Sequence, residues 1–155
     1  MKQQPSVKEQ SLKPAVAKQL TKAAVVEAQL DDRIWLALDA ASEKKALNSV
    51  VLDLRDIASF TDYFVITSGT NERQVQAISD EVVDKLKKAG TPVNRVEGYK
   101  SAEWILLDYG DFVMHIFAEK SRAFYDLERL WRESKRVELP REVAPGTGSS
   151  LRSES

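Results

Sequence analysis

The dipeptide Gly110-Asp111 constrains the fold of this chain more than any other feature, because it separates two runs of β-prone residues. A glycine at the first position of a two-residue loop is typical of the type II′ turn, whose twist matches that of paired strands. Residues 97–117 are therefore predicted to form one β-hairpin around this turn.

The charges beside the turn favour one register of the hairpin. If the loop were Tyr109-Gly110, Asp108 would lie opposite Asp111, and like charges that face each other destabilise a strand pair. With Gly110-Asp111 as the loop, Tyr109 pairs with Phe112 and the two carboxylates do not face each other. This second register is the predicted one.

The two faces of the hairpin differ in chemistry, because the side chains of a strand alternate between faces. One face is apolar and is predicted to be core; it carries Ile105, Leu107, Tyr109, Phe112, Met114 and Ile116. The other face combines aromatic side chains, a carboxylate and the only histidine of the chain; it carries Trp104, Leu106, Asp108, Val113, His115 and Phe117. This second face is the candidate for function, and it indicates a docking surface rather than a catalytic cleft.

Alternating periodicities predict the elements that precede the hairpin. A first helix is predicted to begin at Asp31 or Asp32, and short β-branched and aromatic runs predict strands at residues 50–54 and 63–67. A second helix is predicted to begin with Thr70 as its cap and to end near Gly90. Four apolar residues of this helix share one face at helical spacing: Val75, Ile78, Val82 and Leu86.

A third strand is predicted at residues 93–97, just before the hairpin, and a last helix is predicted to follow it, with Ser121 as its cap. The apolar residues of this last helix are expected to face inward: Phe124, Leu127, Leu130 and Trp131. The element order is then α-β-β-α-β-β-β-α. The strands at 63–67 and 93–97 flank a helix, so they should be parallel if they share a sheet, whereas the hairpin is antiparallel. The predicted fold is an α/β domain with a mixed five-stranded sheet flanked by helices.

The ends of the chain differ from its middle. Residues 1–30 are predicted to be a poorly ordered or partly helical extension, residues 31–136 the folded domain, and residues 137–155 a disordered tail that is rich in glycine and serine. A chain of 155 residues with 43% hydrophobic residues is long enough for one packed domain.

Composition excludes several classes of function. A formal charge of −1 gives no overall basic field for nucleic acid, so direct contact with RNA or DNA would need a local patch. The absence of cysteine excludes disulfides and thiolate chemistry and fits a reducing cytoplasm. No apolar run of membrane length and no secretory signal is present, so a cytoplasmic protein is expected.

The turn between residues 67 and 71 is the strongest hint of an enzyme, because free amides at a helix N-terminus can bind phosphate. However, it lacks the Gly-Lys-Ser/Thr of a P-loop and the three glycines of a dinucleotide site. The following predicted strand offers a single carboxylate, Glu97, whereas Mg²⁺-dependent nucleotidyl transfer needs several. A capped helix start is the favoured interpretation.

His115 invites a catalytic hypothesis because Asp108 shares its face and two serines, Ser101 and Ser121, are available. The chain lacks the Gly-x-Ser-x-Gly elbow that exposes a nucleophile, so a half-buried, hydrogen-bonded histidine is favoured over a triad. One histidine without cysteine also gives poor support to a metal site. Trp104 has two interpretations that the residues alone do not separate: a core residue beneath the last helix, or an anchor for a partner protein.

The sequence resembles the ribosomal silencing factor family, also called the Iojap-like or RsfS family. The resemblance runs in unbroken order from about Asp31 to Trp131. The matching segments are Asp53-Leu54-Arg55, Thr61-Asp62-Tyr63-Phe64-Val65-Ile66, Ser68-Gly69-Thr70-Asn71-Glu72-Arg73-Gln74-Val75, Glu97-Gly98, Ala102-Glu103-Trp104-Ile105-Leu106-Leu107-Asp108-Tyr109-Gly110-Asp111, His115-Ile116-Phe117 and Arg122-Ala123-Phe124-Tyr125-Asp126-Leu127-Glu128-Arg129-Leu130-Trp131.

The resemblance implies a translation factor without enzymatic activity, cofactor or metal. Members of this family bind the large ribosomal subunit through ribosomal protein L-fourteen, block joining of the small subunit and repress translation under nutrient limitation; a role in large-subunit biogenesis is proposed for organelle relatives. The resemblance further implies a nucleotidyltransferase-like fold without the catalytic carboxylates, and a homodimer when the protein is free. No direct contact with nucleic acid and no membrane is required.

The resemblance also implies a set of partner-binding residues in and beside the second face of the hairpin. Carried over onto this sequence, these residues are Tyr99, Lys100, Trp104, Asp108 and His115. The alternatives are a nucleotide-binding protein related to nucleotidyltransferases and a self-associating regulatory module.

Overall fold

The computed structural model describes residues 30–140. The predicted N-terminal extension, apart from its last residue, and the tail from residue 141 onward lie outside the described residues. The helices are α1 (Asp32–Glu43), α2 (Glu72–Lys88), α3 (Glu119–Tyr125) and α4 (Leu127–Leu130). The strands are β1 (Leu47–Asp53), β2 (Tyr63–Gly69), β3 (Arg95–Glu97), β4 (Trp104–Asp108), β5 (Phe112–Ala118) and β6 (Lys135–Val137).

The strands form one mixed sheet in the order β3-β4-β5-β2-β1-β6. Strands β2 and β5 are parallel, and the other neighbouring pairs are antiparallel. The prediction of a mixed α/β sheet is confirmed, but the predicted number of five strands is wrong because β6 adds a sixth. Val137 of β6 pairs with Val51 of β1. The sequence did not predict this strand, because three residues at an exposed edge are too few to establish an alternation of side chains.

The crossover from β2 through α2 to β3 does not join neighbouring strands, as a simple βαβ unit does. Following the pairings across the sheet, β3 runs in the same direction as β2, as predicted. However, β4 and β5 lie between them, so β2 takes its parallel partner from the hairpin and β3 forms the edge.

The predicted hairpin is confirmed together with its register. The Tyr109 amide donates a hydrogen bond to the Phe112 carbonyl at 3.0 Å, and Trp104 pairs with Phe117 further along the strands. Gly110 has φ +87°, a conformation that side chains disfavour, and the Asp111 amide donates to the Tyr109 carbonyl at 3.0 Å. The loop is therefore tightened into a three-residue turn centred on Gly110.

The predicted core face of the hairpin is buried in full, and so is the apolar stripe of α2. Helix α2 packs on β2, β4 and β5 and also against α1. The opposite face of the sheet supports a second apolar cluster, to which α4 contributes Leu127 and neither α1 nor α2 contributes a residue. The two long helices thus cover one face, and the short segment after β5, together with the connection between β1 and β2, covers the other.

The last helix departs from its prediction. The chain enters α3 directly from β5, with Ala118 rather than Ser121 as the N-cap, and breaks at Asp126, whose φ of +46° is left-handed. Because this break redirects the chain, Leu127 is buried and Trp131 is partly buried, whereas Phe124 is 79% and Leu130 69% exposed. The prediction that all four apolar residues face inward is wrong for Phe124 and Leu130.

The cap of α2 is Asn71, not the predicted Thr70. The Asn71 side chain accepts a hydrogen bond from the Gln74 amide at 2.9 Å, and the Gln74 side-chain oxygen in turn accepts from the Thr70 amide. Two amides at the start of this helix are thus satisfied by side chains of the same segment, which agrees with a capped helix start.

The Asn71→Ala variant should lose about 1 kcal/mol of unfolding free energy, because the Gln74 amide loses its side-chain acceptor. The exposed Thr70→Ala variant should change it by less than about 0.5 kcal/mol. Urea unfolding of both variants measures the difference, and equal losses would show that Asn71 is not the cap.

Candidate functional site

The second face of the hairpin is only partly accessible. Phe117 and His115 are buried, whereas Trp104, Leu106 and Asp108 on β4 are half-buried. Strand β2 lies beside β5 and adds Phe64 and Ile66 to the same face, where they join the second apolar cluster. This face is therefore the rim of a core rather than a free surface.

Trp104 lies at the boundary between this core and solvent. Its indole Nε1 donates a hydrogen bond to Nδ1 of His115 at 3.0 Å, and its ring stacks on Phe117 with a centroid distance of 4.9 Å. The ring of Tyr125 on α3 lies 4.7 Å away and is 45% exposed. The inner side of Trp104 packs on the sheet and its outer side contacts α3, as expected for a residue beneath the last helix, and the residue remains half-buried. Its role as an anchor for a partner protein stays a prediction.

Trp131 does not accompany Trp104. Its ring contacts Phe64 at 5.6 Å and Phe60 at 5.9 Å, and Phe60 itself is 61% exposed. The aromatic residues therefore fall into two groups, with Trp104 and Tyr125 in one and Trp131 and Phe60 in the other. Phe64 and His115 lie between the groups, since their rings meet edge to face at 4.4 Å.

His115 is held as a neutral ring. Its Nδ1 accepts the indole hydrogen bond, so the proton of the neutral form resides on Nε2, a buried atom without a hydrogen-bond partner in the described part of the chain. Burial lowers the pKa of His115 to about 4 because the charged form loses its solvation. Among residues 30–140, no carboxylate or hydroxyl is hydrogen-bonded to the imidazole, so a catalytic triad is not assembled there.

The other predicted site residues do not converge on Trp104. The Tyr99 hydroxyl donates to Asp80 of α2 at 2.9 Å, which draws this half-exposed ring toward the helix, and Lys100 is exposed in the same loop. Asp108 lies at the far end of β4, where it accepts a hydrogen bond from the Gly110 amide and pairs with Arg95 at 3.5 Å. The structure therefore brings together Trp104 and His115, and separates Tyr99, Lys100 and Asp108 from them.

Three exposed apolar residues extend the site beyond its predicted members. Phe124, Tyr125 and Leu130 line an open groove of about 420 Å³. The other residues that line it are Ala123, Asp126, Arg129 and Arg132. Large apolar side chains grouped at a surface are typical of a docking site. Sequence periodicity placed Phe124 and Leu130 in the core, because no pattern signalled the break at Asp126.

Residues 30–140 also bear on two other classes of site. No group of three or more histidine, aspartate or glutamate side chains there is arranged to hold a metal ion. Within the same part of the chain, every helix is too short or too polar to span a bilayer.

Comparison with known proteins identifies related sequences. Residues 27–154 match the model of a family described as "Ribosomal silencing factor during starvation". The ribosomal silencing factor RsfS of Halalkalibacterium halodurans is 42% identical over 106 residues, which span 68% of this chain and 91% of that protein. A mouse protein named "Mitochondrial assembly of ribosomal large subunit protein 1" is 33% identical over 92 residues, which span 57% of this chain and 40% of that protein.

The fold is also similar to that of a solved structure. A crystal structure of a protein from Bacillus halodurans superposes with a TM-score of 0.61 at 42% identity, and the match covers 68% of this chain and 95% of that one. At this level of identity, the agreement extends to sequence as well as to fold.

The loop before Trp104 depends on Gly98, and this dependence can be tested. A Cβ atom on Gly98 would lie 2.1 Å from the Trp104 carbonyl oxygen, and φ at this position is +80°. Gly98→Ala should therefore cost about 3 kcal/mol of unfolding free energy. Gly90→Ala is the matched control, since φ there is +96° but no atom lies within 4 Å, and it should cost about 1 kcal/mol. Similar losses in the two variants would contradict the steric argument.

Stability should fall in acid because of His115. Its pKa is about 4 in the folded chain and about 6.5 when unfolded, so the unfolded state binds more protons between these values. The stabilisation is complete above pH 6.5 and is lost as the pH falls toward 4, by about 3 kcal/mol. His115→Asn keeps an acceptor for Trp104 but does not titrate. The difference in unfolding free energy between the wild type and this variant should therefore shrink by this amount from pH 7 to pH 4. A constant difference in urea unfolding across this range would refute the assignment.

Proposed function

This chain belongs to the ribosomal silencing factor (RsfS) family, and we propose that it docks on ribosomal protein L-fourteen of the large ribosomal subunit through the Trp104 surface. Occupation of that site blocks joining of the small subunit and represses translation under nutrient limitation. The protein acts in the cytoplasm by steric exclusion, without a cofactor or a catalytic step. A fold related to nucleotidyltransferases but lacking their chemistry forms part of this proposal.

The observation that carries the proposal is the half-buried Trp104 ring, which is braced by Phe117 and His115 and continues into the exposed Tyr125 and the groove beside it. Binding hot spots are rich in tryptophan and tyrosine because such rings bury a large area at a small entropic cost. The name of the mouse relative supports the large subunit as the partner.

The predicted site residues take different roles in this proposal. Trp104 is the anchor, and His115 orients its indole through the 3.0 Å hydrogen bond. Tyr99, Lys100 and Asp108 belong to the polar rim, where charged groups set the rate and specificity of association more than its strength. The free protein forms a homodimer that covers the same aromatic surface.

Trp104→Ala should weaken binding to isolated large subunits by about 2 kcal/mol or more, which corresponds to about 30-fold in Kd. Trp35→Ala is the matched control, since Trp35 is also half-buried but lies on α1, and it should bind normally. Tyr125→Ala removes an exposed ring from the proposed surface and should weaken binding without a large effect on folding. Co-sedimentation with large subunits measures all three variants, and normal binding of a folded Trp104→Ala variant would contradict the site.

The mechanism is tested separately by mixing large and small subunits with the wild-type protein in a sucrose gradient. The expected result is a loss of joined ribosomes in proportion to bound protein, and Trp104→Ala should leave joining intact. Bound wild-type protein that leaves joining unchanged would refute the exclusion mechanism, whatever surface it uses. Sedimentation of the free protein over a range of concentrations tests the homodimer.

A further inference from the structure

A half-buried arginine, Arg122, connects the segment that covers the second face of the sheet to strand β2. Nη1 of Arg122 in α3 donates to the Ser68 hydroxyl at the end of β2, at 2.9 Å. Nη2 and Nε of the same guanidinium donate to the two carboxylate oxygens of Glu128 in α4, at 2.8 and 3.4 Å. Glu128 also pairs with Arg136 of β6 at 3.7 Å. We call these four residues the Arg122 network.

The Arg122 network spans the break between α3 and α4. Arg122 lies before the left-handed residue Asp126 and Glu128 lies after it, so their ion pair closes over the break. A left-handed aspartate is strained by about 1 kcal/mol and persists only where its surroundings hold it. The Asp126 side chain makes no cap hydrogen bond, so its own side chain does not supply that support.

The electrostatics of the network indicate that the ion pair is persistent. Burial by itself raises the pKa of Glu128, but the hydrogen bonds and charge of Arg122, together with the charge of Arg136, outweigh it and hold the pKa of Glu128 below its usual value. The side chains of Arg122 and Glu128 are 13% and 23% exposed, so the pair is partly shielded from solvent and salt. Arginine suits this place because its planar fork can reach two carboxylate oxygens and a hydroxyl at once.

The placement of α3 on the sheet and the break after it determine which side chains reach the sheet. With α3 ended at Tyr125, the Tyr125 ring contacts Trp104 at 4.7 Å and Phe117 at 6.3 Å, while Leu127 enters the apolar cluster. An uninterrupted helix would place residues 127 to 131 at a different rotation relative to the sheet, because each residue advances a helix by about 100°. Tyr125 precedes the break, so its position over Trp104 depends on how α3 lies on the sheet, and Arg122 bonds α3 both to Ser68 of β2 and to Glu128 of α4.

From this arrangement we propose that Arg122 is a positioning residue for the Trp104 surface: by bonding Ser68 and Glu128 at once, it fixes the α3–α4 break and holds Tyr125 against Trp104. The effect of this positioning on binding rests on the proposed docking function. The positioning itself does not, because it concerns contacts within this chain. A purely stabilising ion pair would raise the unfolding temperature without setting the place of Tyr125.

Arg122→Lys is the decisive variant, since it keeps the charge but cannot form the forked contact. Arg73→Lys is its matched control, because Arg73 is exposed on α2, does not line the groove and has no ion pair among residues 30–140 that would be lost. Glu128→Gln and Ser68→Ala remove the two ends of the network singly and serve if Arg122→Lys does not fold. Nuclear Overhauser effects between the rings of Trp104, Tyr125 and Phe117 are measured in each folded full-length variant.

The expected result for Arg122→Lys is loss of the Trp104–Tyr125 cross-peaks with the Trp104–Phe117 cross-peaks retained, and at least a tenfold weaker affinity for large subunits. The Arg73→Lys control should resemble the wild type in both measurements. Unchanged Trp104–Tyr125 cross-peaks in folded Arg122→Lys, or in both single-end variants, would overturn the positioning role, even if the unfolding temperature falls. Failure of the wild-type protein to bind large subunits would refute the docking function instead, while the cross-peaks would still decide the role of Arg122.

Discussion

The parallel pairing of β2 with β5 is the interaction on which the rest of the structure depends. All seven residues of each strand are buried, so the centre of the sheet must be covered on both faces. Parallel strands commonly have helices on both sides for this reason. Here α1 and α2 cover one face, and among residues 30–140 the other is covered by α3, α4, the residues that follow them and the connection between β1 and β2. A small domain thus completes its core with a short segment.

This shortage of cover explains why the aromatic surface exists. The segment after β5 is long enough to place Leu127 and Trp131 over Phe64 and Ile66, but Trp104 near the end of the sheet is reached only by Tyr125. The indole then satisfies its polar atom internally, by donating to a histidine that burial keeps neutral. The same requirement for burial that builds the core therefore leaves a rigid aromatic ring at its rim.

The parts of the fold that sequence could predict are those fixed by neighbours along the chain. A glycine turn, facing carboxylates and strict alternation determine the register from Tyr109 to Phe112, and helical spacing identifies the buried stripe of α2. Helical spacing gave a wrong prediction for Phe124 and Leu130 because it assumes a continuous helix. The left-handed Asp126 interrupts that helix, and the nearby contacts with β2 and α4 involve residues that are distant in sequence or lie beyond the break. Trp104 could be selected by residue type alone, whereas Tyr125 joined the site only once the direction of α3 was known.

A surface that is the rim of a core binds differently from one made of mobile side chains. The Trp104 ring is already fixed by Phe117, His115 and Tyr125, so little side-chain freedom remains to be lost when a partner covers it. In the proposed docking function, residues that never touch the partner then influence affinity, because they hold the ring in place. Gly98 does so through the backbone before Trp104, His115 through the indole, and Arg122 through Tyr125. In such a site, contacts beneath the surface contribute to recognition as directly as contacts across it.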